Sequence, residues 1–290
     1  TTFHSVGLVS QFRTSPSLMR VMNYTIKLFN ELKEEVGGKL GWHTVGSLRL
    51  ASSQDRFKAL QREVSRAKAI GIQADIISAG DAHKFAPFIS QEGLYGAVYV
   101  PDDGHIDPSS ITYELARQAK LMGAEVCTKV RVTDIEVTPK GEVTRVVTDR
   151  GDIRTECVVN AAGEWAPRIG QMVGVNIPMV ALMHQYLTTK PIPGHELPPN
   201  TPVVRDPDKL FYLREDVGAF LLGAFETNPK AWSMVEGVPW AFTQELLTAE
   251  WDLFEPVLEM AIERVPLLAE AEAIELINGP DAFTPDGHYA

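Results

Sequence analysis

The chain has 290 residues, 44% of them hydrophobic and 22% charged, enough to bury one or two substantial cores and ordinary for a soluble globular protein. Its 38 acids against 27 lysines and arginines give a formal net charge of −11, which repels nucleic acid and anionic membrane, and no basic run interrupts it. No apolar run approaches the ~20 residues that cross a bilayer, so membrane insertion is not expected.

Apolar residues at Leu18, Val21, Met22, Ile26, Phe29, Leu32 and Val36 keep helical spacing and predict a helix that Gly37-Gly38 stops. Thr44 to Ala51 alternates like a strand, and Gln54 to Ile70 is helical up to Gly71. Ile72 to Ile77 and Leu94 to Val100 read as strands with a short helix, Asp81 to Phe85, between them. Asp102-Asp103-Gly104 has turn chemistry, in which paired acids are solvated. Asp107-Pro108-Ser109-Ser110 then offers caps to a helix from Ile111 to Met122.

Ala124 to Val137 reads as one or two strands, followed across Pro139-Lys140-Gly141 by Glu142 to Thr148. Asp149-Arg150-Gly151 turns the chain again into Ile153 to Asn160, ahead of a helix from Trp165 to Val173. The second half is strand-rich, with Val180 to Thr189, Lys209 to Arg214 and Phe220 to Phe225, then a long helix from Thr243 to Ala261 and a last strand from Ile274 to Ile277. Without an internal repeat or a low-complexity linker, the alternation predicts an α/β or α+β architecture with interleaved parts.

Cys127 and Cys157 each sit in an apolar, strand-like run and read as buried core thiols. Neither they nor His43, His83, His105 and His288 stand at metal-ligand spacing, so no metal is expected. The start Thr1-Thr2-Phe3-His4 shows neither an initiator Met nor a signal-peptide pattern, and the fingerprint G-x-G-x-x-G is absent; the chain is expected to be a fragment. Without that fingerprint it is expected to bind a dinucleotide weakly. In Val158-Val159-Asn160-Ala161-Ala162-Gly163-Glu164-Trp165-Ala166 an apolar strand runs into small residues and a helix. Such a turn lets backbone approach a bulky ligand at the carboxyl end of a parallel strand, or is simply a turn that needs Gly for a positive φ.

The phrase from Asn160 to Ala166 resembles the second flavin-contact segment of the D-amino-acid-oxidase-like family. Thr1-Thr2-Phe3-His4-Ser5-Val6-Gly7-Leu8, Gly46-Ser47-Leu48-Arg49-Leu50-Ala51 and Met183-His184-Gln185-Tyr186 are similar to its dimethylglycine and sarcosine dehydrogenase branch, as is Gly279-Pro280-Asp281-Ala282-Phe283-Thr284-Pro285-Asp286. The resemblance runs in order over essentially the whole chain. It implies an incomplete FAD-binding α/β domain interleaved with a substrate domain on a large mixed β-sheet. The flavin-binding part would cover about 1–40 and 105–175, the substrate part about 41–104 and 176–275, and 276–290 would return to the flavin side.

The same resemblance implies FAD attached covalently to His4, a neutral imidazole suited to nucleophilic attachment, although Phe3 stands where tryptophan is usual. Thr2, Ser5, Gly7, Leu8, Val130, Ala162, Gly163 and Trp165 would contact the cofactor as well, Val130 near the adenine. His184 matches an active-site histidine, and Tyr212 an active-site tyrosine, with Phe211 the alternative register. Period-two alternation puts His184 and Tyr186 on one face with Gln185 opposite. Arg205 and Arg214 suit a substrate carboxylate or surface ion pairs equally. The implied reaction is oxidation of an N-methyl amino acid, whose iminium is hydrolysed or passed to tetrahydrofolate in a downstream module, in a mitochondrial matrix or bacterial cytoplasm. The electron acceptor stays open. A non-catalytic relative, similar to the regulatory subunit of pyruvate dehydrogenase phosphatase, is the alternative, and the joint presence of His4, His184 and Tyr212 favours the enzyme.

Overall fold

A computed structural model describes residues 2–234 and 237–285; Thr1, Asp286 and His288 of the sequence motifs lie outside them. In chain order the elements are β1 (Leu8–Val9), α1 (Pro16–Glu35), β2 (Trp42–His43), β3 (Ser47–Ala51), α2 (Gln54–Ala69), β4 (Asp75–Ile77), α3 (Ala79–Phe85), β5 (Gly96–Val100), β6 (Gly104–Ile106) and α4 (Pro108–Leu121). Then come β7 (Val132–Val137), β8 (Val143–Thr148), β9 (Gly151–Arg154), α5 (Ala166–Met172), β10 (Val180–Thr189), β11 (Val203–Asp206), β12 (Phe211–Asp216), β13 (Ala219–Ala224), β14 (Ala231–Trp232), α6 (Trp251–Arg264) and β15 (Ala273–Phe283).

Nine strands form the central sheet, in the order β14-β10-β13-β12-β11-β3-β5-β4 with β15 on the other edge of β10. Only β11 and β3 pair in parallel, so the sheet is mixed as expected. The mixed pattern follows from local connections: β12 and β13 are joined by a short turn at Val217-Gly218, whereas β3 and β11 are separated by more than half the chain. Two small three-stranded sheets, β1-β6-β2 and β7-β8-β9, flank it.

One face of the central sheet buries Leu48, Leu187, Phe211, Leu213 and Leu222 against Phe254, Val257 and Ala261 of α6. The opposite face carries Tyr186, Tyr212 and Leu221, with Val6 from the amino-terminal segment packed on it. Alternation along β10 and β12 therefore divides the side chains into a sealed apolar layer and a layer that faces a cavity. Gln185, opposite His184 as expected, points into the first layer, where its amide exchanges hydrogen bonds with the backbone of Glu250 at 2.7 and 3.1 Å.

That exchange explains a difference from the sequence reading. The helix expected from Thr243 starts only at Trp251, because Gln185 takes Glu250 and Asn278 holds the Thr248 carbonyl at 2.7 Å, keeping the preceding residues against β15. Conversely, the last strand is far longer than Ile274 to Ile277, since β10 offers it a ladder along its whole length. α1 begins at Pro16, directly behind Ser15; Asp107 caps α4 as its chemistry suggests, and Ser53 caps α2.

Three expectations fail for one reason. Residues 124–131 and 155–160 form no strand: apart from single backbone bonds at Arg131 and Thr155, no ladder pairs with them among the described residues. Val159 is 84% exposed, so the strand leading to Gly163 is absent. Cys127 and Cys157 lie in these same stretches and are exposed free thiols rather than core residues.

Asp103 is also a correction: it is fully buried, not solvated in a turn. Its carboxylate accepts hydrogen bonds from Ser10 Oγ (2.7 Å), Ser47 Oγ (2.6 Å) and the Gln11 amide (2.9 Å), clasping the amino-terminal segment to β3. Burial nevertheless pushes its pKa above the usual carboxylate value, against the pull of those donors.

Candidate active site

The amino-terminal segment, the Gly163-Glu164 turn, β10, β12 and β15 converge on a cavity of about 510 Å³. Thr2, His4, Ser5, Gly7, Leu8 and Gly163 line it from one side, and His184, Tyr186, Tyr212, Arg205 and Phe225 from the sheet. Thus residues far apart in sequence, from Thr2 at one end to Phe283 at the other, face one space. Val130, Ala162 and Trp165 do not line it: Val130 lies half-buried elsewhere, and the Trp165 indole donates to the Pro239 carbonyl at 3.1 Å.

His4 is buried on the 3-10 turn Thr2–His4. Its Nε2 lies 3.1 Å from the Glu245 carbonyl, which can only accept, so the proton sits on Nε2 and the lone pair on Nδ1. Burial lowers its pKa, partly offset by that hydrogen bond, and the ring is neutral near pH 7. Its Nδ1 packs over Gly279 so closely that a Cβ there would stand 2.6 Å away. The glycine is what allows β15 to pass beneath the ring.

On the sheet side His184 Nε2 lies 3.0 Å from the Tyr212 hydroxyl, across the intervening β13. Both rings pack on Phe225, with centroids 5.6 and 5.3 Å from it. Burial holds the His184 pKa below its ordinary value, Asp281 pulling it up and Arg205 pushing it further down. Burial drives the Tyr212 phenol well above its usual pKa, so it keeps its proton and can donate to the free-base nitrogen. Phe211, the alternative register, lies in the apolar layer on the other face.

Of the two weighed arginines, Arg214 is engaged elsewhere: it donates to the Val6 and Glu215 carbonyls and pairs with Asp216 at 3.0 Å. Arg205 has no carboxylate or hydrogen-bond partner among the described residues and lies over the Phe225 ring, 5.3 Å from its centroid. Desolvation, then Arg49 and Arg13, push its pKa down to about 9, so it stays cationic at neutral pH.

The sequence reading missed Glu164 and Asp281 as cavity residues. Glu164 is buried, its Oε2 has no hydrogen-bond partner, and desolvation raises its pKa to about 7. Both stood inside motifs already singled out. A glutamate between Gly163 and Trp165, amid small and apolar neighbours, was the available signal.

These residues fit a flavin ring. Gly163 has a left-handed φ of +55° and open space where a Cβ would be, leaving bare backbone facing the cavity. The buried, unpartnered Glu164 oxygen adds a polar group that lacks a protein partner at the cavity.

Comparison with known proteins agrees with this geometry. The model of the FAD dependent oxidoreductase family, DAO, matches residues 1–289. Mitochondrial sarcosine dehydrogenase of Mus musculus is 38% identical over 99% of this chain and 31% of its own length. Mitochondrial dimethylglycine dehydrogenase of Rattus norvegicus is 34% identical over 98% of the chain and 34% of its own length. The chain therefore spans about a third of the curated relatives it matches. The crystal structure of L-proline dehydrogenase from P. horikoshii superposes with a TM-score of 0.84, at 25% identity, over 99% of this chain and 72% of that one.

Proposed function

Because the chain belongs to the DAO family of FAD dependent oxidoreductases, we propose that it carries the substrate side and part of the flavin side of an enzyme that oxidises an N-methyl amino acid of the sarcosine or dimethylglycine type. The observation that carries the reading is one shared cavity, with His4 on one wall and the His184–Tyr212 pair on the other. The division into a flavin part (1–40 and 105–175) and a substrate part (41–104 and 176–275) belongs to the same proposal.

FAD, when bound, supplies a two-electron acceptor that takes a hydride from the N-methyl carbon. His4, Thr2, Ser5, Gly7, Leu8 and Gly163, which line the cavity, would hold the ring, with Glu164 beside them, and His4 would tether it covalently. Val130, Ala162 and Trp165 would act on parts of the cofactor beyond this cavity.

The chain's own residues account for the amine chemistry. Hydride loss leaves an iminium only if the nitrogen lone pair is free, so the ammonium form must first give up its proton. His184, neutral because of its burial, accepts that proton, and Tyr212 orients it. Arg205, an unpaired cation on the same wall, holds the substrate carboxylate. Phe225 and Tyr186 cover the reacting carbon and exclude water. The iminium is then hydrolysed or transferred to tetrahydrofolate, in a mitochondrial matrix or bacterial cytoplasm. The non-catalytic reading gains nothing from the site, since a scaffold has no need of a free-base histidine hydrogen-bonded to a phenol in an open cavity.

The test is anaerobic mixing of the flavin-loaded full-length protein with sarcosine or dimethylglycine. Bleaching of the flavin absorbance, lost in His184→Ala, is expected. A wild-type protein whose flavin stays oxidised with both amines refutes the proposal.

A further inference from the structure

A second cavity, of about 330 Å³, lies behind the first. Arg13, Arg205 and Phe225 line both, so these three side chains form the partition between them. Beyond the partition the second cavity adds Arg49 and Arg56, and its one acidic lining residue is Glu63. Four guanidinium groups around one small space are unexpected in a chain of net charge −11.

Carboxylate partners account for two of the four. Arg56 pairs with Asp208 at 3.0 Å, and Arg49 stands 3.7 Å from Glu63 while donating to the Phe12 carbonyl at 2.8 Å. Arg13 has a carbonyl partner, Ser10, and no carboxylate, and Arg205 has neither. The space is lined by two paired and two unpaired cations, and part-buried unpaired cations are costly unless an anion visits them. The rim is accessible, since Thr14 is exposed and the Arg56 side chain is 37% exposed.

We infer that this second cavity is a carboxylate-binding antechamber, in which the amino-acid substrate is first held by Arg56 and Arg49 before passing Phe225 to Arg205 beside His184 and Tyr212. The inference rests on the proposed oxidation of an N-methyl amino acid and adds the route and the charge that the substrate must carry. Leu60, Pro207, Leu210 and Phe211 supply apolar wall between the four cations, and clustered charge of one sign in a cleft favours capture of small anions over the long-range repulsion of the acidic surface. Phe225 suits a partition because its ring sits on an arginine on one side and on the His184 and Tyr212 rings on the other, so that rotation about its side-chain bonds opens a path without breaking a hydrogen bond. An amine without a carboxylate gains nothing from this route.

Two measurements test the antechamber. In the flavin-loaded full-length protein, Arg56→Gln and Arg56→Glu should lower kcat/KM for the N-methyl amino acid, by about tenfold in the Glu variant, while kcat stays close to wild type. Added salt should lower kcat/KM of the wild type more steeply than that of either variant, and Arg56→Lys should restore most of the loss. Separately, trifluoroacetate titrated into the same protein and followed by fluorine NMR should bind more weakly to Arg56→Gln and more tightly to Glu63→Gln. A loss of fold would weaken both, so the opposite signs exclude it. Unchanged kcat/KM in Arg56→Glu, or unchanged trifluoroacetate affinity in Arg56→Gln, overturns the inference. If the wild type oxidises no N-methyl amino acid, the functional reading falls, and the titration alone then decides whether the chamber binds carboxylates.

Discussion

Tyr212 lies across Gly223, its partner in the neighbouring strand, so closely that a Cβ on Gly223 would stand 1.9 Å from the ring carbon that carries the hydroxyl. The bare backbone at this position of β13 lets the phenol cross one strand and reach His184 on β10, 3.0 Å away. Sheet geometry alone would leave these two side chains separated by the width of two strand spacings, or roughly 9–10 Å.

Gly223→Ala is therefore expected to displace Tyr212 and to cost as much activity as removing the hydroxyl. Tyr212→Phe should lower kcat/KM on the order of 10²-fold, in the range of a lost acid–base contact, with little change in thermal stability. Gly223→Ala should match it in activity while also lowering Tm, because overpacking costs about 1–3 kcal/mol. Steady-state kinetics and calorimetry on both variants check this, and full activity in Gly223→Ala rules out the positioning role.

In the proposed reaction His184 sets the acid side of the activity profile. Its pKa lies below 6.5 in the fold, so kcat/KM should rise with pH to a plateau reached before neutrality, apart from the ionisation of the amine itself. Burial is the largest cause, and Arg205 contributes in the same direction. Arg205→Gln should therefore shift the acidic limb to higher pH as well as raise KM. A limb at or above pH 6.5 in the wild type contradicts this.

Glu164 makes stability depend on pH. Its folded pKa of about 7 lies above the ordinary glutamate value of 4.5, so the folded state holds the proton more tightly than the unfolded chain. The contribution is fully present below about pH 4.5, and it is lost as pH rises through 7, on the order of 3 kcal/mol at most. Glu164→Gln should remove this dependence and stabilise the protein at pH 8. Denaturant melts at pH 5 and pH 8 measure it, and an equal pH dependence in the variant shows that Glu164 does not carry it.

Arg264 and Asp206 form an ion pair at 3.3 Å in which both side chains are almost fully buried. Arg264 also donates to the carbonyls of Ser90 and Glu92, at 2.5 and 2.9 Å, and to Ser52 Oγ, joining α6 to the loop after α3. Arg264→Met should destabilise by about 3–5 kcal/mol, since Asp206 is left charged and unpaired in the core. Adding Asp206→Asn should recover part of that loss, and urea melts of the single and double variants provide the cycle.

His4 has a visible readout. Denatured, acid-precipitated full-length protein should be yellow in the wild type and colourless in His4→Ala. Gly279→Ala should also lose colour, because a Cβ would stand 2.6 Å from Nδ1 and force the ring away. Colour retained after precipitation of His4→Ala refutes the tether.

The sequence alone determined much of the scaffold. β10 was readable from Val180 to Thr189 as an apolar, strand-like run, and the capping residues at Asp107 marked α4. Alternation also placed His184 and Tyr186 on the face opposite Gln185, as the fold has them. The resemblance to flavin-dependent amine dehydrogenases rested on motifs at His4, Gly163 and His184, all of which line the cavity. Other features lay beyond local pattern. A strand exists only if a neighbour supplies its ladder, which residues 155–160 lack and 278–283 find along β10. Whether Asp103 is a solvated turn acid or a buried clasp depends on Ser10 and Ser47, 93 and 56 residues away. Likewise, nothing local distinguishes Arg205 from Arg214. Only the tertiary structure ties one to Val6 and leaves the other facing two cavities without an anion, because charge pairing is decided by what the fold brings within a few ångströms.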